Sequence, residues 1–296
     1  MNPELKIKIE NNLFPLARPA VEPWDKFPWH LDQSNLCDTW KIHSSQALAI
    51  DVFGTLMMLE QSSRDAIFDS VCKKLNVPPG GPWKVHLEWL DPTNLLKEPR
   101  PTQVDATAVG RFAFILFEVK FTERQAGCCS QTMRLARVGH AQCNGNFELQ
   151  VNPANQILDK CVLTGKGIRY WEVIPQIFRV NPGDDYRPCP FRGQEYQWMR
   201  NLVLSRAIAE ASHKYPAFAI AYMGPDLPIS NYIESERWAA FKRLLRQETS
   251  PPIAIEIREF VRHVAAIEPS LTGLRGWVDM KFDQATSALK STAFDR

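Results

Sequence analysis

The sequence predicts an α/β fold in which a central mixed sheet is flanked by helices. Three observations carry this. Stretches with apolar residues at helical spacing alternate with stretches of period two. One of the latter, Phe114 to Phe117, is apolar without a break, as expected for a strand covered on both faces. A chain of 296 residues, 45% hydrophobic and 23% charged, can also bury a sizeable core.

Residues 1–41 are rich in Pro and aromatics and show no clear period, which suggests an irregular arm wrapped over a main body at 42–296. Its Trp residues argue against simple disorder. Ser44 or Ser45 can cap a helix from Gln46 to about Leu59, with Leu48, Val52, Phe53 and Leu56 on one face. Ser62 or Ser63 can cap a second, with Ile67, Phe68, Val71 and Leu75 apolar, stopped by Val77-Pro78-Pro79-Gly80-Gly81-Pro82. Trp83–Leu90 alternates: Trp83, Val85, Leu87 and Trp89 point one way, and Lys84, His86 and Glu88 the other. Gln103–Val109 and Phe112–Phe121 read as strands joined across Gly110-Arg111, and Glu123–Arg137 as a helix. Residues 139–192 hold turn signals and read as an insertion. Gln194–His213 is a long helix, Ala217–Met223 a strand, Glu234–Gln247 an amphipathic helix, Ile253–Ile257 a strand and Glu259–Ile267 a helix, with a final helix after it.

No apolar run approaches the roughly 20 residues that span a bilayer, so no membrane partner is expected. The first six residues lack the layout of a secretory signal, and the expected address is the cytoplasm. A net charge of +2 gives no global field toward nucleic acid, though a local basic patch is compatible with it. The seven cysteines are odd in number and lack a CxxC pair, which favours reduced thiols over a disulfide framework or a zinc site.

The chemically specific stretch is Asp105 followed by Glu118-Val119-Lys120. Strand side chains alternate, so Leu116, Glu118 and Lys120 share one face, and Ile115, Phe117, Val119 and Phe121 the other. A two-residue turn at Gly110-Arg111 sets Val109 opposite Phe112 and Asp105 opposite Leu116. Asp105 then shares the face of Glu118, roughly 7–8 Å away on the diagonal. A slip of one residue would break this. Two converging carboxylates repel, and a hard cation relieves them. Mg²⁺ takes oxygen ligands and keeps several waters, so Asp105 and Glu118 suffice as metal ligands, and Lys120 would assist the attacking water. Alone, Glu-x-Lys on a strand is usually a solvated face with a weak ion pair. Inside an apolar run that reading is harder to sustain.

These residues resemble the motif of the PD-(D/E)XK nuclease superfamily, whose fold is the restriction-endonuclease-like core. Val104-Asp105 stands at the first acid, with Val104 in place of the signature proline, and Glu118-Val119-Lys120 at the (D/E)XK element. The resemblance covers roughly residues 42–260. Ser44–Ala49, Glu118–Glu123 and Tyr196–Asn201 are similar to segments of a bacterial branch, the last to the glutamine-and-tyrosine helix of RecB-like members, with a different side-chain order. The resemblance implies a Mg²⁺-dependent nuclease, with Mn²⁺ as a substitute, acting on nucleic acid and on DNA by analogy. Cutting both strands of a duplex often implies a homodimer. The alternatives are an inactive nucleic-acid-binding member and an interaction protein with no nucleic-acid role.

Supporting candidates are Glu88, as an added metal ligand or a solvent-facing strand residue, and Gln46, near the site or merely in a first helical turn. Gln197 and Arg200 share a helix face at spacing three. Glu123 is expected to pair locally, and His43 and His86 are not needed as proton shuttles. Cys128, Cys129, Cys143, Cys161 and Cys189 match no compact ligand pattern, which argues against an iron–sulfur cluster. Arg134, Arg137, Arg200, Lys242, Arg243 and Arg246 could line a phosphate groove, the last three equally a solvated helix face.

Overall fold

The computed structural model of the chain describes residues 2–32, 34–123, 126–133, 141–153 and 155–294. A mixed five-stranded sheet lies at its centre, made of β1 (Lys84–Leu90), β2 (Gln103–Val109), β3 (Ala113–Lys120), β6 (Tyr215–Tyr222) and β7 (Ile253–Glu256), in the order β1-β2-β3-β6-β7. β1, β2 and β3 run antiparallel, and β6 and β7 continue parallel to β3. A separate two-stranded sheet, β4 (Gln150–Val151) with β5 (Leu158–Asp159), lies in the inserted segment.

Helices cover both faces. Against Ile115, Phe117 and Val119 pack α2 (Ser45–Ala49), a π-helical turn (Ile50–Gly54), α3 (Thr55–Met58), α4 (Gln61–Leu75), α10 (Ile257–Ile267) and α11 (Thr272–Phe294). Against Phe114, Leu116, Phe218 and Ile220 pack α6 (Tyr170–Ile177), α7 (Glu195–Ser212), α8 (Pro228–Ile233) and α9 (Glu236–Arg243). Every residue of β3 is buried, so its continuous apolar run meets a core on each side.

Several expectations need correction. The first half of the N-terminal stretch is not irregular, whereas the described residues from 22 to 44 are. Asn2 caps α1 (Pro3–Asn11), and a 3₁₀ helix follows over Pro15–Val21. Leu5, Ile9 and Leu13 recur at spacing four, and Ile9 and Leu13 are fully buried. α4 is capped at Glu60, without a side-chain bond, instead of at a serine. Over 126–133 the helix expected from Glu123 to Arg137 is reduced to a 3₁₀ turn at Ser130–Thr132. Tertiary acceptors take its amides: Gly127 N donates to Gln197 Oε1, and Cys129 N to Arg192 O. Arg134 and Arg137 lie outside the described residues.

The hairpin also differs. Val109 lies opposite Phe114, not Phe112, across a four-residue loop in which Gly110 N donates to Ala113 O at 2.9 Å. Arg111 N donates to Gly80 O, and Lys214 Nζ caps the carbonyls of Gly110 and Arg111. These contacts outweigh the local preference of a Gly-first turn. The register moves by two residues, which preserves side-chain parity and brings Asp105 level with Glu118.

Behind the sheet, Asp51 of the π turn and Lys281 of α11 form an ion pair at 2.6 Å, both fully buried. Asp51 also accepts from Phe14 N and Trp277 Nε1, and Lys281 Nζ donates to Asn12 O. Burial raises the Asp51 pKa, against the opposing charge of Lys281.

Candidate metal centre and its family

Glu88 fixes the site. It has a positive φ of 47°, and the alternation of β1 breaks there. Leu87 and its partner Ala106 pack on one core, whereas Trp89 and its partner Val104 pack on the other. Both strands therefore change face at Glu88 and Asp105. Glu88 does not join His86 on the exposed side; it is buried. Its Oε1 accepts from Gln46 Nε2 at 2.7 Å, and its Oε2 from Gln103 Nε2 at 2.6 Å, with His30 Nε2 at 3.2 Å. Gln46 is fully engaged beside the site, also accepting from His30 N and Thr39 Oγ1. Ser44 caps α2 and so sets the direction from which Gln46 approaches.

Asp105 sits at the mouth between β2 and β3. The β2–β3 pairing stops at Ala106, and the Asp105 carboxylate takes Val119 N at 2.6 Å in place of a ladder carbonyl. Burial raises its pKa well above the ordinary carboxylate range, and the charges of Glu118 and then Glu88 add to this. Asp105 therefore lies within the field of both other acids instead of sharing one flat face with Glu118.

Glu118 is held from the opposite layer. Its Oε1 accepts from Lys120 Nζ at 2.9 Å and from Gln197 Nε2, and its Oε2 from Asn201 Nδ2 at 3.0 Å. Burial works against the Lys120 ammonium, but Glu118, Glu123 and Asp105 together outweigh it and the pKa rises. Lys120 therefore keeps its proton. Glu123 turns back on the chain and accepts from Phe121 N.

Among the described residues, His30, Glu88 and Asp105 can each offer a ligand atom, all within 4.8 Å of one another. His30 has its pKa raised to about 9: burial lowers it, but the hydrogen bond and charge of Glu88 prevail. Glu118, Glu123 and Asp105 act on Lys120, and Glu88 and Asp105 on His30, while Glu118 lies outside the set of three close ligand atoms. The repulsion that Glu118 and Glu88 exert on Asp105 is relieved by a cation, and the oxygen-rich donor set fits Mg²⁺ or Mn²⁺. Beside it opens a cleft of about 380 Å³ lined by His30, Lys41, His43, Ser44 and Glu123.

Two members of this cluster, His30 and Asn201, were not singled out from the sequence, and only His30 carried no usable signal. His30 lies in an aperiodic stretch, 58 positions from Glu88. Asn201 was legible: it follows Gln197 by four residues, the spacing that puts both on one helix face. Arg200, at spacing three, lies over the Tyr196 ring at 5.8 Å; burial lowers its pKa, but Tyr170 and Tyr196, and then Glu98 and Glu118, outweigh it and the pKa rises. The basic residues of α9 and its exit are used locally. Lys242 covers Trp238, Arg243 pairs with Glu236, and Arg246 Nε donates to Pro175 O.

A family model described as "restriction endonuclease associating with ARP" matches residues 8–250. The chain belongs to this family. The match takes in most of the N-terminal stretch and the insertion, and ends just before β7. Comparison with curated proteins and with solved structures returned no match. The mixed sheet flanked by helices is consistent with the restriction-endonuclease-like fold that the family description implies. No helix among the described residues is long and apolar enough to cross a membrane.

Proposed function

We propose that the protein is a metal-dependent nuclease that hydrolyses phosphodiester bonds in DNA. The observation that supports it best is the meeting of half-buried His30 and Asp105 with buried Glu88 beside the Glu118–Lys120 pair, where strands β2 and β3 part. Asp105 and Glu118 would hold a divalent cation, with Glu88 and His30 completing the donor set. When bound, that cation would lower the pKa of a water and stabilise charge on the scissile phosphate. Lys120, kept protonated by the acids around it, places a fixed positive charge where the phosphorane-like oxygens develop, and takes no proton itself. Gln197 and Asn201 hold the Glu118 carboxylate in one orientation. Lys41 and His43 line the cleft along which a phosphate backbone would pass. The family description also associates its members with ARP, so association with such a partner belongs to the reading.

The test is incubation of the pure protein with supercoiled plasmid and Mg²⁺ or Mn²⁺, beside Asp105→Asn and Lys120→Ala. Nicking or linearisation by the wild type alone is expected. Equal behaviour of all three proteins would remove the catalytic reading, and retained DNA binding without cutting would favour an inactive binding member.

A further inference from the structure

Three cysteines of the insertion and one that precedes it, Cys129, are scattered in sequence but meet in space. Cys129, Cys143, Cys161 and Cys189 all line one cavity of about 40 Å³, more room than a single water needs. Its remaining wall is largely aromatic and aliphatic, and includes Phe147, Trp171 and Phe191. All four are free thiols. The closeness that the sequence spacing lacks is thus supplied by the fold.

A second feature is shared by all four. In each, the backbone N–H two residues on is directed at the sulfur: Gly145 at Cys143 at 3.4 Å, Gln131 at Cys129, Leu163 at Cys161 and Phe191 at Cys189. Burial raises the pKa of Cys129, Cys161 and Cys189, and these amides oppose it by favouring the thiolate, the form that ligates metal. Four such turns around one cavity set four sulfur donors in like surroundings.

The surrounding chain has need of a staple. Between residues 141 and 169 regular structure amounts to β4, β5 and the four-residue α5 (Val162–Gly165). Irregular segments of that length inside a compact domain are uncommon.

We propose that Cys129, Cys143, Cys161 and Cys189 bind a soft metal centre, one zinc ion or an iron–sulfur cluster, that fastens the insertion to α7. Tetrahedral four-sulfur sites take these metals. Among the described residues no three of the sulfurs lie within 4.8 Å of one another. One zinc ion at its usual bond length holds four sulfurs roughly 3.8 Å apart, and a cubane cluster holds them further apart. The spread favours the larger occupant. Tyr196 and Met199 of α7 line the same cavity, so the centre would brace the helix that carries Gln197 and Asn201.

The experiment is elemental analysis and visible spectroscopy of the full chain purified without oxygen from medium supplied with iron and zinc. About four irons per chain with a sulfur-to-iron charge-transfer band is expected; about one colourless zinc per chain would establish the same thiolate site with the smaller occupant. Cys161→Ser should lose the metal, whereas Cys128→Ser, whose thiol is outside the cavity, should keep it. If Cys161→Ser fails to fold, alkylation of the native wild type decides. The four thiols should be protected as a set and released together by a chelator. Metal-free wild type, four thiols that react independently, or two disulfides among them would overturn the proposal.

Discussion

Replacing Lys281 by Met tests the buried ion pair beneath the sheet. At 2.6 Å and an effective dielectric near 20, the attraction between Lys281 and Asp51 is about 6 kcal/mol. Desolvating two ions costs several kcal/mol each, so the intact pair contributes little net stability. Removing one partner is different, because Asp51 then remains fully buried with only the Phe14 amide and the Trp277 indole to answer it. The expected loss is about 3–5 kcal/mol, or roughly 6–10 °C in Tm for a domain of this size. Adding Asp51→Asn removes the buried charge and should restore part of it, because Phe14 N and Trp277 Nε1 donate to different carboxylate oxygens and the amide keeps only one. The pH dependence follows from the raised pKa of Asp51. A raised carboxyl pKa gives stability that is present below the unfolded value and lost as pH rises through the folded one. With its counter-charge gone Asp51 rises further, so the deficit of Lys281→Met should widen with pH. Calorimetry or urea unfolding of the four proteins of the cycle, at two pH values, supplies the measurement. A Lys281→Met variant within about 1 kcal/mol of wild type, or a double variant as unstable as the sum of the singles, would refute the reasoning.

The histidine of the site can be followed directly. In the metal-free protein the His30 ring should titrate near 9 by NMR, and Glu88→Gln should bring the midpoint back toward 6.5 or below; its stabilising contribution is fully present below 6.5 and lost as pH rises through about 9. A wild-type midpoint at 6.5 would contradict the His30–Glu88 bond. Asn201→Leu removes a donor from the buried Glu118 carboxylate and should lower stability by about 1.5–3 kcal/mol in denaturant unfolding. An unchanged midpoint would mean that Asn201 does not hold Glu118.

Much of this was legible in the residues. The apolar run through Phe117 marks β3 as central, and a Glu and a Lys within it mark a use for charge. What escaped did so for identifiable reasons. The hairpin obeys Lys214 and the Gly80 carbonyl, both remote in sequence, instead of its own turn residues. Period-two reasoning assumes that a strand keeps its faces, and the positive φ at Glu88 violates that at the position that matters most. His30 carries no pattern, because its role comes from an arm folded back over β1. The register error was two residues and not one, so Asp105 still comes level with Glu118, but the change of face there lies outside what alternation can foresee.

The family match stops at residue 250, yet Lys281 lies on a helix further on and reaches back to Asn12 and Asp51. Head and tail of the chain are buckled together through one carboxylate. A truncation at the family boundary would therefore open the buckle: it would strand Asp51 and uncover Phe14, which packs on Trp277, at once. The stretch that kinship recognises is shorter than the stretch that can fold, and inactivity of the shorter piece would report a missing clasp, not a missing catalyst.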